Sequence, residues 1–300
     1  MAQLQIRIAS AGDLPRIYRL AAACATHDRF SPELLREKLF FEPRPAAQRE
    51  TAVAERGGEL IGFMQRVLDP QARKAWIGPF AVAESARRQG VAGALLESCL
   101  DALRGAAGEV EALAIPGAYL TPGLDPRYTE ALCFLERRGF ERFKDCANLT
   151  AELTRHLGTA DDEARLAREG VEIRRAQRAD EPRLDAFFEQ DFGAAWRFEA
   201  GLALDVAPPA LHLALRGGRI IAFSAHSTQN REWGFFGPMG TAPAARGLGL
   251  GRVLLWRCLN DLRDAGHETA VIPWVGPIAF YHQWCQARVE RVFWRYRRML

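Results

Sequence analysis

Residues 77–103, IGPFAVAESARRQGVAGALLESCLDAL, return as residues 236–262, FGPMGTAPAARGLGLGRVLLWRCLNDL. Gly78-Pro79 aligns with Gly237-Pro238, Arg87 with Arg246, Gly90 with Gly249 and Cys99 with Cys258, each pair 159 residues apart and without a gap. An ungapped block of this length with its punctuation in register is a duplication. The chain must therefore fold as two copies of one unit, and the shared Gly/Arg segment is the first place to look for chemistry.

The repeat runs beyond that block. LQIRIASAGDLPRI (4–17) resembles VEIRRAQRADEPRL (171–184), GGELIGF (57–63) matches GGRIIAF (217–223), and FLERRGFERF (134–143) is answered loosely by FYHQWCQARVERVF (280–293). Each copy reads as a short strand (4–8; 171–175), then a helix opened by Asp13 or Asp180 with Pro15 or Pro182 in its first turn, then a second helical stretch (31–40; about 194–204). Two alternating strands joined at Gly57-Gly58 or Gly217-Gly218 make a hairpin signal. A third strand ends in the Gly-Pro block, and a helix (91–104; 249–264) follows with Leu95, Leu96, Cys99 and Leu103, or Leu254, Leu255, Cys258 and Leu262, at helical spacing. A strand (110–115; 268–272), a further helix (128–138; 277–286) and extended segments close each copy, and the tail VFWRYRRML reads as a final strand with Arg on its exposed face. The boundaries implied are 1–156, a linker helix over 157–170, and 171–300. Half of 300 residues is enough for a core of its own.

Bulk composition excludes several classes. A hydrophobic share of 48% and a charged share of 26% are ordinary for a globular chain. Forty basic against 37 acidic residues is too balanced to advertise nucleic acid or an anionic membrane, so an anion site must be local. The start, MAQLQIRIASAGDLPRIYRL, lacks the pattern of a signal peptide, and no apolar run approaches a membrane span. The six cysteines are scattered and form no C-x-x-C pair, as in a cytoplasmic protein with reduced thiols and no zinc site.

The motif is Arg246-Gly247-Leu248-Gly249-Leu250-Gly251 in the second copy and Arg87-Arg88-Gln89-Gly90-Val91-Ala92 in the first. Both follow a strand and open an amphipathic helix. A Gly-rich turn there gathers unpaired backbone N–H groups at the positive end of the helix dipole, which suits phosphate oxygens. The dipole alone is worth about 0.3–2 kcal/mol, so the converging amides must supply much of the grip. A P-loop would need Gly-Lys-Ser/Thr, but Gly251 is followed by Arg252 and Val253; a dinucleotide fingerprint would need a third glycine where Leu254 stands.

The element order and the pattern Arg246-x-x-Gly249-x-Gly251, repeated as Arg87-x-x-Gly90-x-Ala92, resemble the GNAT superfamily of N-acetyltransferases, over essentially the whole chain and as a tandem pair. The resemblance implies an α/β fold of the α+β type. Each copy would carry a mixed, mostly antiparallel sheet flanked by helices and splayed between its two central strands. It implies acetyl-CoA as donor, no metal, and direct transfer to a primary amine on a small molecule or a protein, by a monomer or homodimer. In the second copy the pyrophosphate would sit on Leu248, Gly249, Leu250 and Gly251 with Arg246, Gly247 and Arg252 beside them, and Met239, Gly240 and Thr241 would hold the pantetheine through their backbone. In the first copy the matching set is Phe80, Val82, Arg87, Arg88, Gln89, Gly90, Val91 and Ala92, although that turn is equally readable as a helix start that binds nothing. Pro238, which lacks an N–H, suits a strand that stops pairing.

Tyr281 lies where the last helix of this family often carries an acid that protonates the leaving thiolate; Leu135 stands at the matching place in the first copy. That difference puts catalysis in the second copy, with the first in a supporting role. Core packing beside Phe280 and Trp284 is the other reading of Tyr281. The position where some members carry a Glu base holds Phe235, or Trp76 in the first copy, and Glu232, His226 and Glu199 are unsupported substitutes, so a water-relayed base is expected. A non-catalytic acyl-CoA-binding or regulatory module is the alternative function.

Overall fold

The computed structural model describes residues 2–40 and 47–300. Its chain divides into two compact units, Met1–Cys146 together with Val292–Leu300, and Ala147–Arg291. The division falls inside two long strands and not in the expected linker segment, whose helix lies within the second unit.

In the first unit the order is β1 (Leu4–Ile8), α1 (Leu14–Cys24), α2 (Pro32–Phe40), β2 (Gln48–Arg56), β3 (Glu59–Asp69), β4 (Lys74–Val82), α3 (Val91–Leu103), β5 (Glu109–Ala112), α4 (Thr129–Arg137) and the first half of β6 (Glu141–Glu152). Strands β1 to β4 form an antiparallel meander. The crossover through α3 then lays β5 parallel to β4, pairing Ala75 with Val110 and Ile77 with Ala112. The second unit repeats this with α5 (Ala160–Arg168) in front: β7 (Val171–Arg175), α6 (Glu181–Asp191), α7 (Ala194–Leu204), β8 (Leu211–Arg216), β9 (Arg219–His226), β10 (Phe236–Thr241), α8 (Leu250–Asp264), β11 (Thr269–Ile272), α9 (Ile278–Cys285) and the start of β12 (Arg288–Met299). Strands β7 to β10 are again antiparallel neighbours.

The terminal strands are distributed unexpectedly. The end of β12 pairs with β5, Arg297 opposite Glu111 and Met299 opposite Glu109, so the tail completes the first unit. The second half of β6 pairs with β11, Leu149 opposite Ile272 and Glu152 opposite Thr269, and completes the second. Phe293 and Tyr296 of the tail are buried, which anchors it.

Two devices recur because the sequence recurs. Arg7 grips Asp13 with both guanidinium nitrogens at 2.8 and 2.7 Å, and Arg174 grips Asp180 at 2.6 and 2.7 Å. Each carboxylate also accepts a backbone N–H, from Ser10 or Gln177 at 2.8 Å, and so fixes the entry to the first helix of its unit. The hydrogen bond from arginine is the largest influence on both carboxyls and holds them below their ordinary value. The second device is a bulge at the Gly-Pro pair. Gly78-Pro79 stands opposite the single residue Gln65, and Gly237-Pro238 opposite Ala225. Two residues against one bend the strand and turn up its twist. Beyond the bulge, β4 keeps its pairing with β3 but leaves β5, whose last tie is Leu113 N–H to the Ile77 carbonyl at 2.7 Å. In the second unit β10 and β11 touch through one parallel bridge, Phe235 to Val271, before they part. Both sheets are thus splayed, directly in front of the motif.

Candidate active site

Gly90 and Gly249 are the N-caps of α3 and α8, with φ of +82° and +83°. A side chain is strained in that left-handed conformation, so glycine is what lets the strand turn into the helix here. Neither cap carries a side-chain hydrogen bond, and the first intrahelical bonds are Ala94 N–H to the Gly90 carbonyl at 3.0 Å and Val253 N–H to the Gly249 carbonyl at 3.4 Å. The amides before them in the first turn have no partner within the helix, an arrangement that can receive an anion.

Different cavities open from the two cradles. That of the first unit measures about 1160 Å³. Its walls include Phe80, Val82, Arg87, Arg88, Gly90, Val91 and Ala92, all of the expected first-copy residues except Gln89, which is bonded to Ser85 and Arg56. From there the space runs along the splayed strand past Pro79 and Leu113 to Cys24, Asp28 and Phe30 in and beside the α1–α2 loop, and to Tyr128 at the start of α4. Helix α4 lines it lengthwise, with Tyr128, Ala131 and Phe134 on one stripe and Arg137 and Arg138 at its far end. The Arg138 guanidinium rests against Gly93 in the first turn of α3. The motif end is therefore basic. At the opposite end the Tyr128 hydroxyl donates to Asp28 Oδ2 at 2.7 Å and accepts from His27 N–H at 3.0 Å. Arg127 forks onto Asp125 at 3.0 and 2.6 Å beside them, and that hydrogen bond raises the guanidinium's pKa further.

The cavity of the second unit measures about 510 Å³ and stays at the motif. Thr241, Arg246, Gly247, Leu248, Gly249, Leu250, Gly251 and Arg252 line it together with Arg165, Phe280 and Trp284. Arg165, on a helix without counterpart in the first repeat, donates to the Leu248 carbonyl at 2.9 Å, and Arg252 stacks on Trp284 with its carbon 4.6 Å from the ring centre. Met239 and Gly240 are not on its wall. The Phe192 ring covers Gly240 so closely that a Cβ there would lie 2.5 Å from it, and Phe187, Phe188, Trp196 and Phe223 fill in behind.

Tyr281 does not line this cavity. Only 7% exposed, its ring packs edge-on against Phe236 at 5.9 Å and Phe280 at 5.2 Å in the core of the unit, and burial pushes its phenol well above the ordinary range. His226 is bonded to Ser227 at 3.0 Å and to Asp261 at 3.2 Å and lines neither cavity. Glu232 and Glu199 line neither as well, and Phe235 and Trp76 are buried core residues. The residues that sequence reasoning missed are Asp28, Tyr128 and Arg138. Tyr128 lies seven residues before Leu135, on which the repeat alignment focused attention. Asp28 belongs to a loop with no repeated pattern.

Among the described residues no group of three or more His, Cys, Asp or Glu is placed to hold a metal, and no helix is long and apolar enough to cross a membrane.

With this geometry in view, the comparisons with known proteins are specific. The model of the acetyltransferase (GNAT) family matches residues 14–116 and again 171–285, so the chain belongs to that family, with two copies of its domain. No curated protein matches. Among solved structures, the glucosamine N-acetyltransferase region of a fungal multidomain β-N-acetylglucosaminidase superposes with a TM-score of 0.82 at 16% identity. That match covers 99% of this chain and 38% of the fungal one, so the chain spans well under half of that protein. A GNAT protein of Sphaerobacter thermophilus gives 0.72 at 18% identity, covering 99% of this chain and 95% of the other. A tandem GNAT protein of the clavulanic acid biosynthesis pathway gives 0.73 at 16%, covering 99% and 98%. At these identities the likeness establishes the fold.

Proposed function

We propose that the chain transfers acetyl from acetyl-CoA to a primary amine, and that the transfer takes place in the first unit. The observation that carries this reading is the first cavity: it joins the anion cradle to the gap between β4 and β5 and continues to a polar end formed by separate loops. A donor with phosphates at one end and a thioester at the other needs that continuity, and the volume suits a large ligand. Gly90, Val91 and Ala92 would hold the pyrophosphate through their amides, with Arg87, Arg88 and Arg138 supplying charge. The backbone of Phe80 to Val82, released from β5, would face the pantetheine amides and the acetyl carbonyl. A carbonyl oxygen held by backbone N–H groups gains most as it becomes an oxyanion during attack by the amine.

The second unit is then the supporting one. Its cradle is built, but Phe192 closes the way onward, and Tyr281 acts as a packing residue. This reverses the roles that Tyr281 and Gly251 suggest in the sequence alone.

Calorimetric titration with acetyl-CoA, followed by thiol release with an amine panel that includes a polyamine, amino acid amides and D-glucosamine, tests the reading. Acetyl-CoA binding that depends on Gly90, and thiol release that depends on an amine, are the expected results. Absence of acetyl-CoA binding overturns it, and binding without transfer to any amine leaves an acyl-CoA-binding module.

A further inference from the structure

The far end of the first cavity holds a contact that the family motif does not explain. The α1–α2 loop and the start of α4 come to the cavity from different parts of the unit, and they are tied there by the 2.7 Å hydrogen bond from Tyr128 to Asp28. The tie is reinforced by the His27 N–H on the same hydroxyl at 3.0 Å and by the His27 ring edge-on to Tyr128 at 5.1 Å. Tyr128 lines the same cavity as Phe80, Val82 and Leu113, the residues of the splay itself. From Tyr128 to Arg138, α4 spans about 15 Å at 1.5 Å per residue, which is the reach of an extended pantetheine arm. With phosphates at Arg138 and the cradle, the thioester arrives beside Tyr128, and Asp28 is the carboxylate next to it.

We infer that Asp28 is the group that receives the acceptor's proton, and that the acceptor is a cationic primary amine whose ammonium is drawn to this carboxylate. The inference rests on the proposed donor site in the first unit. Tyr128 is a positioning residue: its hydroxyl donates to Asp28 Oδ2 and so orients the carboxylate. Among the described residues, Asp125 paired with Arg127, His27, and Cys24 with the Arg87 guanidinium beside it are further titratable or charged groups at this end; Arg127 lies within electrostatic reach of Asp28, and Glu84 and Glu130 also line the wall. In the step itself, the ammonium gives one N–H proton to the Asp28 carboxylate. The freed lone pair adds to the thioester carbonyl. As the C–S bond breaks, the second N–H proton leaves the nitrogen and ends on the thiolate, so that amide, CoA thiol and protonated Asp28 result. Asp28 then returns its proton to solvent.

Full-length Asp28→Asn, Asp28→Glu and Tyr128→Phe proteins should be compared with wild type, using acetyl-CoA with spermidine, lysine amide and D-glucosamine as cationic acceptors and aniline as a neutral one. Asp28→Asn should lower kcat by about 10²–10⁴-fold with a cationic acceptor, with acetyl-CoA affinity and thermal midpoint unchanged. Asp28→Glu should restore part of the rate. Tyr128→Phe should lower kcat about tenfold and raise KM for the amine, with acetyl-CoA affinity unchanged. Wild-type turnover in Asp28→Asn, transfer to aniline but to no cationic amine, or transfer to none of the four while acetyl-CoA still binds, would each overturn the assignment to Asp28 and leave the donor site standing. Loss of acetyl-CoA binding in wild type is the separate result that removes the donor site.

Discussion

The splayed strand meets different neighbours in the two units. In the first, Ala81 of β4, Cys24 and Phe30 lie on the wall of a cavity of about 1160 Å³. In the second, the aligned Gly240 of β10 lies under Phe192, which stacks on Trp196 at 5.2 Å with their planes 7° apart, and the open space is about 510 Å³. Everything upstream of this difference is shared: the Arg–Asp grip on the first helix, the Gly-Pro bulge, the left-handed glycine cap and the buried cysteine of the motif helix. Duplication preserved the bulged strand and the glycine-capped start of the motif helix. The copies diverge in the segments between the first two helices and around the last one, where they have no common pattern.

The sharpest way to break the comparison is to fill one cradle at a time. Gly90 and Gly249 have matching φ, and a side chain on either costs about 1–3 kcal/mol in local strain, so Gly90→Val and Gly249→Val are matched variants. Each would place a branched side chain at its cradle; a Cβ at Gly90 meets open space, and one at Gly249 comes 3.2 Å from the Arg165 guanidinium. Losing two charge-assisted hydrogen bonds at about 1.5–3 kcal/mol each corresponds to about 10²–10⁴-fold. Gly90→Val should show that loss in acetyl transfer and Gly249→Val should not. The reverse outcome, read by steady-state thiol release, would exchange the roles of the units.

The aromatic plug gives the next largest effect, on stability. Phe192 contacts Phe187, Phe188, Trp196 and Phe223. Phe192→Ala should destabilise the protein by about 3 kcal/mol through lost burial and a new cavity. The same change should open the way from the second cradle along β10. A calorimetric titration that then shows a strengthened second acetyl-CoA site would identify the plug as what closes it; full stability in the variant would mean that the ring is not packed as described.

A smaller contrast is electrostatic. Beneath α8, His212 and His226 both approach Asp261 Oδ2, at 2.7 and 3.2 Å, and Arg175 donates to Oδ1 at 2.8 Å. The residues aligned with the two histidines in the first unit are Ala52 and Arg66. Burial lowers the pKa of His212 from its ordinary 6.5 despite the carboxylate. Burial also works against ionised Asp261, but the hydrogen bonds from His212, His226 and Arg175 outweigh it and hold that carboxyl low. Both groups bind fewer protons folded than unfolded. Stability should therefore be present above the histidine's ordinary value and decline as pH falls below about 6.5, with Asp261 adding to the loss below about 4. His212→Gln should flatten the first part of that decline, between about pH 7 and about pH 5. Urea midpoints over that range would decide it, and an unchanged slope would remove His212 as the cause.

The sequence reads well where contacts are local or repeated. Gly57-Gly58 and Gly217-Gly218 announce hairpins because two adjacent glycines suit the tight turn, and the motif helix starts at Val91 and Leu250 because Gly90 and Gly249 precede them. The GNAT resemblance is confirmed by the family match to both halves. What local pattern could not carry is the ownership of strands. The tail's alternation of Trp294 and Tyr296 with Arg295 and Arg297 marks a strand, but only pairing across more than half of the chain, Arg297 with Glu111, puts it beside β5. The openness of each cradle was hidden for a related reason. It depends on Phe192 meeting Gly240 and on Asp28 meeting Tyr128, contacts 48 and 100 residues apart that no period in the sequence encodes.

Tyr281 supplies the smallest expected effect, and therefore a strict test of which unit performs transfer. As a general acid its hydroxyl would have to reach the sulfur of a thioester. In the folded unit the ring lies against Phe236 and Phe280, 7% exposed, and does not reach the wall of the motif cavity. Burial also raises its phenol pKa, which weakens it as a proton donor at neutral pH. Tyr281→Phe keeps the ring and its packing, so transfer should stay within about twofold of wild type, the basic limb of the pH–rate profile should not move, and stability should change by no more than about 1 kcal/mol. A loss of about 10²–10⁴-fold in kcat with unchanged acetyl-CoA affinity is what acid catalysis would give. That result would require Phe192 to move aside and a pantetheine arm to enter between β10 and β11. Combining Tyr281→Phe with Gly90→Val separates the two cases: with transfer confined to the first unit, the double variant should be no slower than Gly90→Val alone.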